Sequence, residues 1–352
     1  MQYRKLGRTG LKVSPICLGG NVFGWTADQS ASESVLDTFI EGGGNFIDTA
    51  DIYSRWVPGH TGGESEAVIG NWITSRKNRE SIVIATKVAG PMGTGPNDAG
   101  LTRTHILRAV DDSLSRLKTD YIDLYQAHFD DPDTRLEETL ETFDFLIKTG
   151  KVRYIGASNY AAWRLTKALW VSDKNHLARF ESLQPNYNLV DREGFETELE
   201  AVVTDQALGV IPYFSLAAGF LTGKYQRDTP LPNTQRAEGV QKKYMNDRGF
   251  KVIDAVSAVA KDHNVTPGQV ALAWLIARPS ITAPIASATN AEQAADLTKA
   301  AELSLSADDI KSLDDASAWK KEAYFSVIKK RPMRGASFHS RMTQPMQVLG
   351  FL

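Results

Sequence analysis

Eight short apolar runs alternate with amphipathic stretches along nearly the whole chain, and this alternation limits the fold more than any other feature. The runs at 81–87 and 121–126 are rich in β-branched and aromatic residues, which favours strands. Residues 102–117 instead place apolar side chains at the spacing of one helical face. Uniform alternation of strand and helix predicts a parallel sheet with helices outside it. Eight repeats favour a closed (β/α)₈ TIM barrel over an open sheet.

An open, doubly wound sheet would carry Gly-x-Gly-x-x-Gly after its first strand. Residues 19–24 have the wrong glycine spacing, and Gly223-Lys224 is followed by Tyr225, so a P-loop is absent too. Residues 3–6 and 12–14 predict an N-terminal β-hairpin at the barrel floor. No linker divides the chain, so we expect one barrel domain over residues 1–318 and an extended C-terminal tail over 319–352.

Composition excludes several classes of function. The 352 residues include 40 Lys plus Arg and 42 Asp plus Glu, a formal charge of −2, which gives no electrostatic basis for binding nucleic acid or an anionic membrane. No apolar run approaches the roughly 18 residues of a membrane span, and the N-terminus lacks the apolar core of a signal peptide. A cytoplasmic protein is therefore expected. The six His show no metal-ligand spacing, so no metal site is predicted, and the single Cys17 sits in an apolar run as a buried thiol.

Polar residues that end successive strands should converge at one mouth of a barrel. Asp48, Lys87 and His128 end the second, third and fourth predicted strands, and Tyr53 follows Asp48 closely. A buried Lys87 beside Asp48 would stay charged and would lower the pKa of a nearby tyrosine. Such a phenol can protonate a developing alkoxide while a neutral imidazole orients the carbonyl oxygen. None of these groups supplies a hydride, so this chemistry requires a nicotinamide.

Residues 45–53, NFIDTADIY, resemble the signature of the aldo-keto reductase superfamily. Similar segments follow in family order at 86–87, 124–128, 150–159, 184–188 and 219–225. The resemblance covers about residues 3 to 315. It implies a catalytic tetrad of Asp48, Tyr53, Lys87 and His128, with Tyr53 as the general acid.

The resemblance also implies a cofactor, NADP(H), bound along the strand ends. Ser158, Asn159 and Gln184 would hold the nicotinamide amide, and Tyr213 would stack on its ring. Further implied cofactor contacts are Gly20, Asn21, Asp48, Phe214, Ser215, Leu216, Gly219, Leu221, Gly223, Lys224, Ile285, Ser287, Thr289 and Gln293.

One departure from the family pattern concerns the adenosine 2′-phosphate. No basic residue occurs between Arg278 and Lys299, and Gln293 stands where many relatives have Arg. A dianionic phosphate normally takes charge-assisted donors. NADP(H) therefore stays the first expectation, with NAD(H) as the alternative.

The sequence indicates the residues that contact the substrate less clearly than those that contact the cofactor. Trp25, Trp56 and Phe129 follow strand ends or lie in loops and are candidates for an aromatic substrate wall or for ordinary loop packing. The tail could cover the pocket or be loosely attached. Three further tryptophans on helical faces are expected in the core: Trp163, Trp170 and Trp274.

The expected protein is a monomeric enzyme that reversibly reduces an aldehyde or ketone to an alcohol. Its substrate could be a sugar carbonyl, a cyclic ketone of a secondary metabolite or a xenobiotic. Two alternatives stay open: an NAD-linked alcohol or sugar dehydrogenase or an epimerase that retains its cofactor, and a cofactor-sensing subunit similar to potassium-channel β subunits.

Overall fold

The computed structural model describes residues 1–319, and within them a ring of eight parallel strands follows a small antiparallel hairpin. The hairpin pairs β1 (Arg4–Lys5) with β2 (Lys12–Val13). The ring strands pair in chain order, with the last beside the first. They are β3 (Cys17–Gly19), β4 (Phe46–Asp48), β5 (Val83–Val88), β6 (Ile122–Ala127), β7 (Val152–Ser158), β8 (Phe180–Gln184), β9 (Gly209–Val210) and β10 (Ile285–Ala286).

Backbone hydrogen bonds close the ring between its last two strands. The amides of Thr282 and Ala283 donate to the carbonyl of Val210 at 2.8 and 3.2 Å. The amide of Ile285 donates to the carbonyl of Pro212 at 2.9 Å. The eight strands therefore form a closed ring. Each strand–helix unit returns the chain to the same end of this barrel, and the predicted (β/α)₈ fold is confirmed.

The helices form where an apolar stripe and a capping residue coincide. Asp28, Thr102 and Thr266 accept backbone N–H bonds at the starts of three helices, as good N-caps do. The helices are α1 (Gln29–Glu41), α2 (Glu64–Arg76), α3 (Arg103–Leu117), α4 (Leu136–Lys148), α5 (Ala162–Asn175), α6 (Glu193–Glu196), α7 (Leu199–Asp205), α8 (Ala237–Tyr244), α9 (Asp247–His263), α10 (Pro267–Ile276), α11 (Ala291–Ala300) and α12 (Ala307–Ser317).

Two differences from the predicted elements have local causes. The sequence pattern predicts one helix over residues 193–206, but this stretch divides into α6 and α7, because Glu198 has a φ of −136° outside the helical region. The helix α8 was not predicted, because it is short and buries only Ala237, Val240 and Tyr244 in a largely polar segment.

Two hydrophobic clusters hold the barrel. The larger packs the outer faces of the strands against the helices. The smaller fills the interior, where Leu6 and Val13 of the hairpin join strand residues such as Phe46 and Leu124. Gly7, at φ +54°, passes close beneath the barrel, since a Cβ there would lie 2.5 Å from the Glu181 carbonyl oxygen. The hairpin therefore closes the barrel floor, as the sequence predicted.

The expectation that three helical tryptophans lie in the core is correct only for Trp274, which is fully buried. Trp163 and Trp170 are 66% and 56% exposed. They fall opposite the buried stripe of α5, which is formed by residues such as Leu165 and Leu169. Apolar character alone does not tell which face of a helix points inward when both faces carry large apolar residues.

Residues Met1–Ser317 form one compact unit. Of the predicted tail, everything after Trp319 lies outside the described residues, so its role at the pocket stays a prediction. Cys17 is buried, as expected, and burial raises the pKa of its thiol well above the usual range. Among the described helices, none is long and apolar enough to cross a membrane.

Candidate active site

Lys87, fully buried near the end of β5, is the centre of the site. Its ammonium donates to Asp48 Oδ2 at 2.6 Å, to the Thr49 carbonyl at 2.8 Å and to Tyr53 Oη at 2.8 Å. These bonds use all three donors of an ammonium group. Three of the four predicted catalytic side chains are therefore in direct contact.

Asp48, at the end of β4, is held from its other side by two amides. Its Oδ1 accepts from Gln184 Nε2 at 2.9 Å and from Gln126 Nε2 at 3.1 Å. Sequence reasoning did not include Gln126 in the site. The alternation of side chains along a strand could have predicted it. Gln126 lies two residues before His128 and therefore faces the same side.

His128 follows β6, and its ring lies beside Tyr53 with centroids 6.0 Å apart. Its backbone amide donates to the Val88 carbonyl at 2.8 Å, and its ring stacks on Phe129 at 4.4 Å. Burial, followed by the nearby charge of Lys87, lowers the pKa of His128 well below its usual value. The imidazole is therefore neutral at neutral pH. Its Nδ1 is buried, with no partner among the described residues.

The ionisation of Tyr53 differs from the expectation. Burial raises the pKa of Tyr53 to about 12, and this effect outweighs the lowering by Lys87. The prediction that the pKa of Tyr53 lies below its usual value is therefore wrong for the free protein. That prediction included the charge of the Lys87 ammonium but not the cost of burying a phenolate. Burial also disfavours the Lys87 ammonium, but Asp48 and Tyr53 together raise its pKa above the usual value. At neutral pH the pair is an ammonium ion and a neutral phenol.

The residues expected to hold a nicotinamide amide lie together at the ends of β7, β8 and β9. Ser158 Oγ donates to the Gln184 carbonyl at 2.9 Å. Asn159, in the left-handed region at φ +58°, donates from Nδ2 to Ser158 Oγ at 3.1 Å and accepts at Oδ1 from the Tyr213 hydroxyl at 2.8 Å. The structure thus brings all four residues into one hydrogen-bonded group.

The segment after β9 is irregular. Phe214, Gly219 and Gly223 have positive φ angles, and Ser215 Oγ donates to the Pro212 carbonyl at 3.0 Å. Leu216 is partly buried, while the side chain of Leu221 is fully buried in the outer core. Any contact of Leu221 with a ligand would therefore use its backbone.

Two cations lie near this segment. Lys224 and Arg236 form no ion pair within residues 1–319. Burial, then the positive charge of Arg236, lowers the pKa of Lys224. Two neighbouring cations that lack a counterion favour an anion as ligand. Sequence reasoning missed Arg236, because nothing in the loop pattern indicates that it folds back towards Lys224.

The implied cofactor contacts near β10 and the start of α11 include two hydrogen-bonded pairs. Ser287 Oγ donates to Asn21 Oδ1 at 2.6 Å. Gln293 Oε1 accepts from the Thr289 amide at 2.9 Å and from its hydroxyl at 3.1 Å. Glu292 lies in the first turn of α11. Gly20 and Ile285 are buried.

Aromatic rings border the tetrad. Trp25 and Trp56 meet edge to face with centroids 5.5 Å apart, and Trp56 lies 6.1 Å from Tyr53. Phe129 covers His128 and is itself partly exposed. Of the three predicted substrate residues, Trp56 thus lies beside Tyr53, Phe129 beside His128, and Trp25 beside Trp56. No cluster of metal-ligating side chains occurs in the described part of the chain.

Several known proteins are similar to this chain over most of its length. A sequence model of the aldo/keto reductase family matches residues 15–318. The uncharacterized oxidoreductase YrpG of Bacillus subtilis is 37% identical over 90% of this chain and 95% of its own. A probable voltage-gated potassium channel subunit beta of Arabidopsis thaliana is 33% identical over 86% of this chain and 92% of its own. Norsolorinic acid reductase of Aspergillus flavus is 30% identical over 87% of this chain and 78% of its own. The chain belongs to the aldo/keto reductase family.

Proposed function

We propose that this protein reduces an aldehyde or ketone to an alcohol, with Tyr53 as the proton donor and a nicotinamide as the hydride source. The bond from Lys87 to Tyr53 Oη supports this proposal most directly. Because the ammonium donates to that oxygen, the phenolic hydrogen is left for another acceptor. A substrate carbonyl oxygen at the pocket mouth would be that acceptor.

The residues present fit a nicotinamide dinucleotide. Tyr213 offers a ring for stacking, Ser158 and Asn159 offer amide-binding groups, and Lys224 with Arg236 offers charge for a pyrophosphate. A Cβ at Gly219 would lie 3.3 Å from Lys224 Nζ, so glycine keeps this approach open. When bound, the nicotinamide supplies the hydride that the side chains cannot supply.

Each member of the tetrad has a separate task in this proposal. Tyr53 transfers its proton from Oη to the carbonyl oxygen as negative charge develops there. Lys87 stabilises the phenolate that remains, and Asp48 keeps Lys87 in place through its 2.6 Å bond. The neutral imidazole of His128 orients the carbonyl oxygen without contributing a charge.

The aromatic wall supports a ring-bearing substrate over a small polar one. Trp25, Trp56 and Phe129 present apolar ring faces and edges beside Tyr53 and His128. Such rings bind flat aromatic or cyclic molecules through stacking and edge contacts. We therefore favour a cyclic or aryl ketone over a sugar carbonyl.

For the cofactor we propose NADP(H), bound with its 2′-phosphate at the start of α11. Thr289, Asn290 and Gln293 provide uncharged hydrogen-bonding groups there. Two features disfavour a phosphate there and make NAD(H) the second candidate. Glu292 lies in the first turn of α11, and no Lys or Arg occurs between Arg278 and Lys299. The cytoplasmic location expected from the sequence is part of the same proposal.

The first test is a titration of the protein with NADPH and with NADH, followed by tryptophan fluorescence. Tight binding of either cofactor, followed by oxidation of that cofactor with an aryl ketone, supports the proposal. Stronger binding of NADH would shift the assignment to the second cofactor and direct the search towards alcohols. Binding of neither would contradict the assigned nicotinamide site.

The relatives named as potassium channel β subunits favour a second candidate function, a cofactor-sensing subunit. Such a protein would bind the cofactor tightly but turn over very slowly with every carbonyl tested. A single-turnover measurement separates the two candidates. Fast hydride transfer with a good substrate supports the reductase, and slow transfer with all substrates supports the sensor.

A further inference from the structure

The short helix α8 lies against the segment that follows β9. Its last residue, Tyr244, is buried, and its ring stacks on the buried ring of Phe220 with centroids 5.8 Å apart. Phe220 belongs to the irregular segment that carries several of the proposed cofactor contacts. Arg236 directly precedes α8, and its backbone carbonyl accepts from the Val240 amide at 3.0 Å. The position of Arg236 therefore depends on where α8 is held.

Asp191 binds the far end of α8. Its Oδ2 accepts from the Tyr244 hydroxyl at 2.7 Å and from Lys243 Nζ at 2.8 Å. Lys243 and Tyr244 are the last two residues of the helix. Burial raises the pKa of Asp191, but the bonds from Lys243 and Tyr244 outweigh this effect, so the pKa lies below its usual value. Asp191 is therefore a carboxylate at neutral pH and accepts both bonds as a charged group.

The turn that carries Asp191 also holds the residues next to the proposed nicotinamide site. Asn188 is fully buried; its Oδ1 accepts from the Asp191 amide at 2.9 Å, and its Nδ2 donates to the Phe214 carbonyl at 3.0 Å. The Tyr213 amide donates to the Pro185 carbonyl at 2.9 Å. The turn after β8 therefore contacts both the backbone around Tyr213 and the far end of α8.

α8 depends on such contacts because it is short. A helix of eight residues has little stability of its own. It buries one narrow apolar face, which is formed by Ala237, Val240 and Tyr244. Hydrogen bonds to a charged group are stronger than those between neutral groups. Loss of the Asp191 carboxylate should therefore loosen α8 and, with it, Arg236 at its start.

We propose that Asp191 is a positioning residue for the cofactor, because it holds α8 in place and thereby keeps Arg236 at the cofactor site. This inference rests on the proposed function, in which Arg236 and Lys224 bind a pyrophosphate. Asp191 acts through Arg236 and does not itself bind the cofactor. Its loss should weaken the binding of either dinucleotide and leave hydride transfer in the saturated protein unchanged, since the tetrad is not altered.

Cofactor titration by tryptophan fluorescence tests this inference. Asp191→Ala should raise the Kd for NADPH and for NADH about tenfold, as expected when hydrogen bonds to a charged group are lost. The rate of hydride transfer at saturating cofactor should stay the same. Asp191→Asn keeps an acceptor oxygen for Tyr244 but loses the charge that faces Lys243, so its Kd should lie between the two. This milder variant also provides the test if the alanine variant does not fold.

A double-mutant cycle with Arg236 separates this role from a general loss of stability. If Asp191 acts through Arg236, then Asp191→Ala should have little further effect on either Kd once Arg236→Met has been made. Full additivity of the two changes would contradict the inference. Hydrogen exchange of the free protein gives a second readout. The α8 amides should exchange faster in Asp191→Ala while those of β5 keep their protection, and unchanged exchange in α8 would overturn the inference.

Asp37→Ala is the matched control. Asp37 also accepts side-chain bonds, from Trp72 Nε1 and from Arg76 Nη2 at 2.7 Å each, but it joins the outer helices α1 and α2. Its loss should leave both Kd values unchanged. If the unchanged protein binds neither cofactor, the proposed function fails and this inference fails with it. If the unchanged protein binds a cofactor and Asp191→Ala binds it equally well, the inference alone fails.

Discussion

Lys87 Nζ lies 2.8 Å from Tyr53 Oη while it also contacts Asp48 at 2.6 Å, so one buried ammonium bridges the phenol and the carboxylate. Burial favours the neutral phenol, and the ammonium favours the phenolate. In the free protein burial is the larger effect. A phenol in this state holds its proton until an acceptor oxygen arrives, and the ammonium is already in place to stabilise the charge that then forms on Tyr53.

Tyr53→Phe should lower kcat for carbonyl reduction by roughly 10²- to 10⁴-fold, the usual range for loss of a general acid. Cofactor affinity should change little, because the ring is retained and Lys87 stays paired with Asp48. The matched control is Tyr154→Phe, whose hydroxyl accepts from the Gly10 amide next to the hairpin. Equal loss of activity in the two variants would contradict the assigned role of Tyr53.

Lys87→Met should destabilise the protein by about 3 kcal/mol, because it leaves the buried Asp48 carboxylate without its cation. The double variant Lys87→Met/Asp48→Asn should recover part of this loss, since no unpaired charge remains. Urea unfolding measures both. Arg76→Met, which breaks the surface pair with Asp37 at a similar 2.7 Å, is the control and should have a far smaller effect. A double variant less stable than Lys87→Met would argue against a charge effect.

The raised pKa of Tyr53 should affect both its ionisation and the stability of the fold at alkaline pH. Titration of tyrosinate absorbance should show one group ionising at pH about 12 that is missing in Tyr53→Phe. Because the folded pKa exceeds the unfolded value of about 10, the group stabilises the fold below pH 10. That contribution is lost as the pH rises from about 10 to 12. Ionisation of Tyr53 below pH 10 in the free protein would contradict the dominance of burial.

The pKa of His128 is shifted in the opposite direction from that of Tyr53, so its effect on stability appears at acid pH. Its pKa is lowered in the fold, so its contribution to stability is present above the unfolded value of about 6.5 and is lost as the pH falls below it. His128→Gln should therefore flatten the acid side of the stability profile. NMR of the imidazole should show no protonation near pH 6.5 in the native protein. A normal titration there would show that the ring is solvated or charged.

Cofactor discrimination should respond to position 293. Gln293→Arg should tighten NADPH binding about tenfold and leave NADH binding nearly unchanged, because only NADPH carries a 2′-phosphate. Lys224→Met should weaken both cofactors, since both carry the pyrophosphate, and fluorescence titration measures both effects. Equal effects of Gln293→Arg on the two cofactors would place the adenosine elsewhere.

The sequence by itself determined the barrel, the hairpin at its floor and the strand ends that carry Asp48, Lys87 and His128. These features follow from periodicity and turn residues, which are local and can be read along the chain. Strand-end residues such as Asp48 and Lys87 meet because parallel strands in a barrel share one carboxyl end, whatever the packing between them.

Only the tertiary structure decided how these groups behave. The pKa of Tyr53 depends on its burial and on Lys87 from another strand, and Asp48 is held by Gln126 and Gln184 from two more. The exposure of Trp163 likewise depends on which side of α5 the neighbouring elements cover. The desolvation of a side chain and the charges around it come from residues that are distant in sequence. A local pattern along the chain therefore cannot predict them.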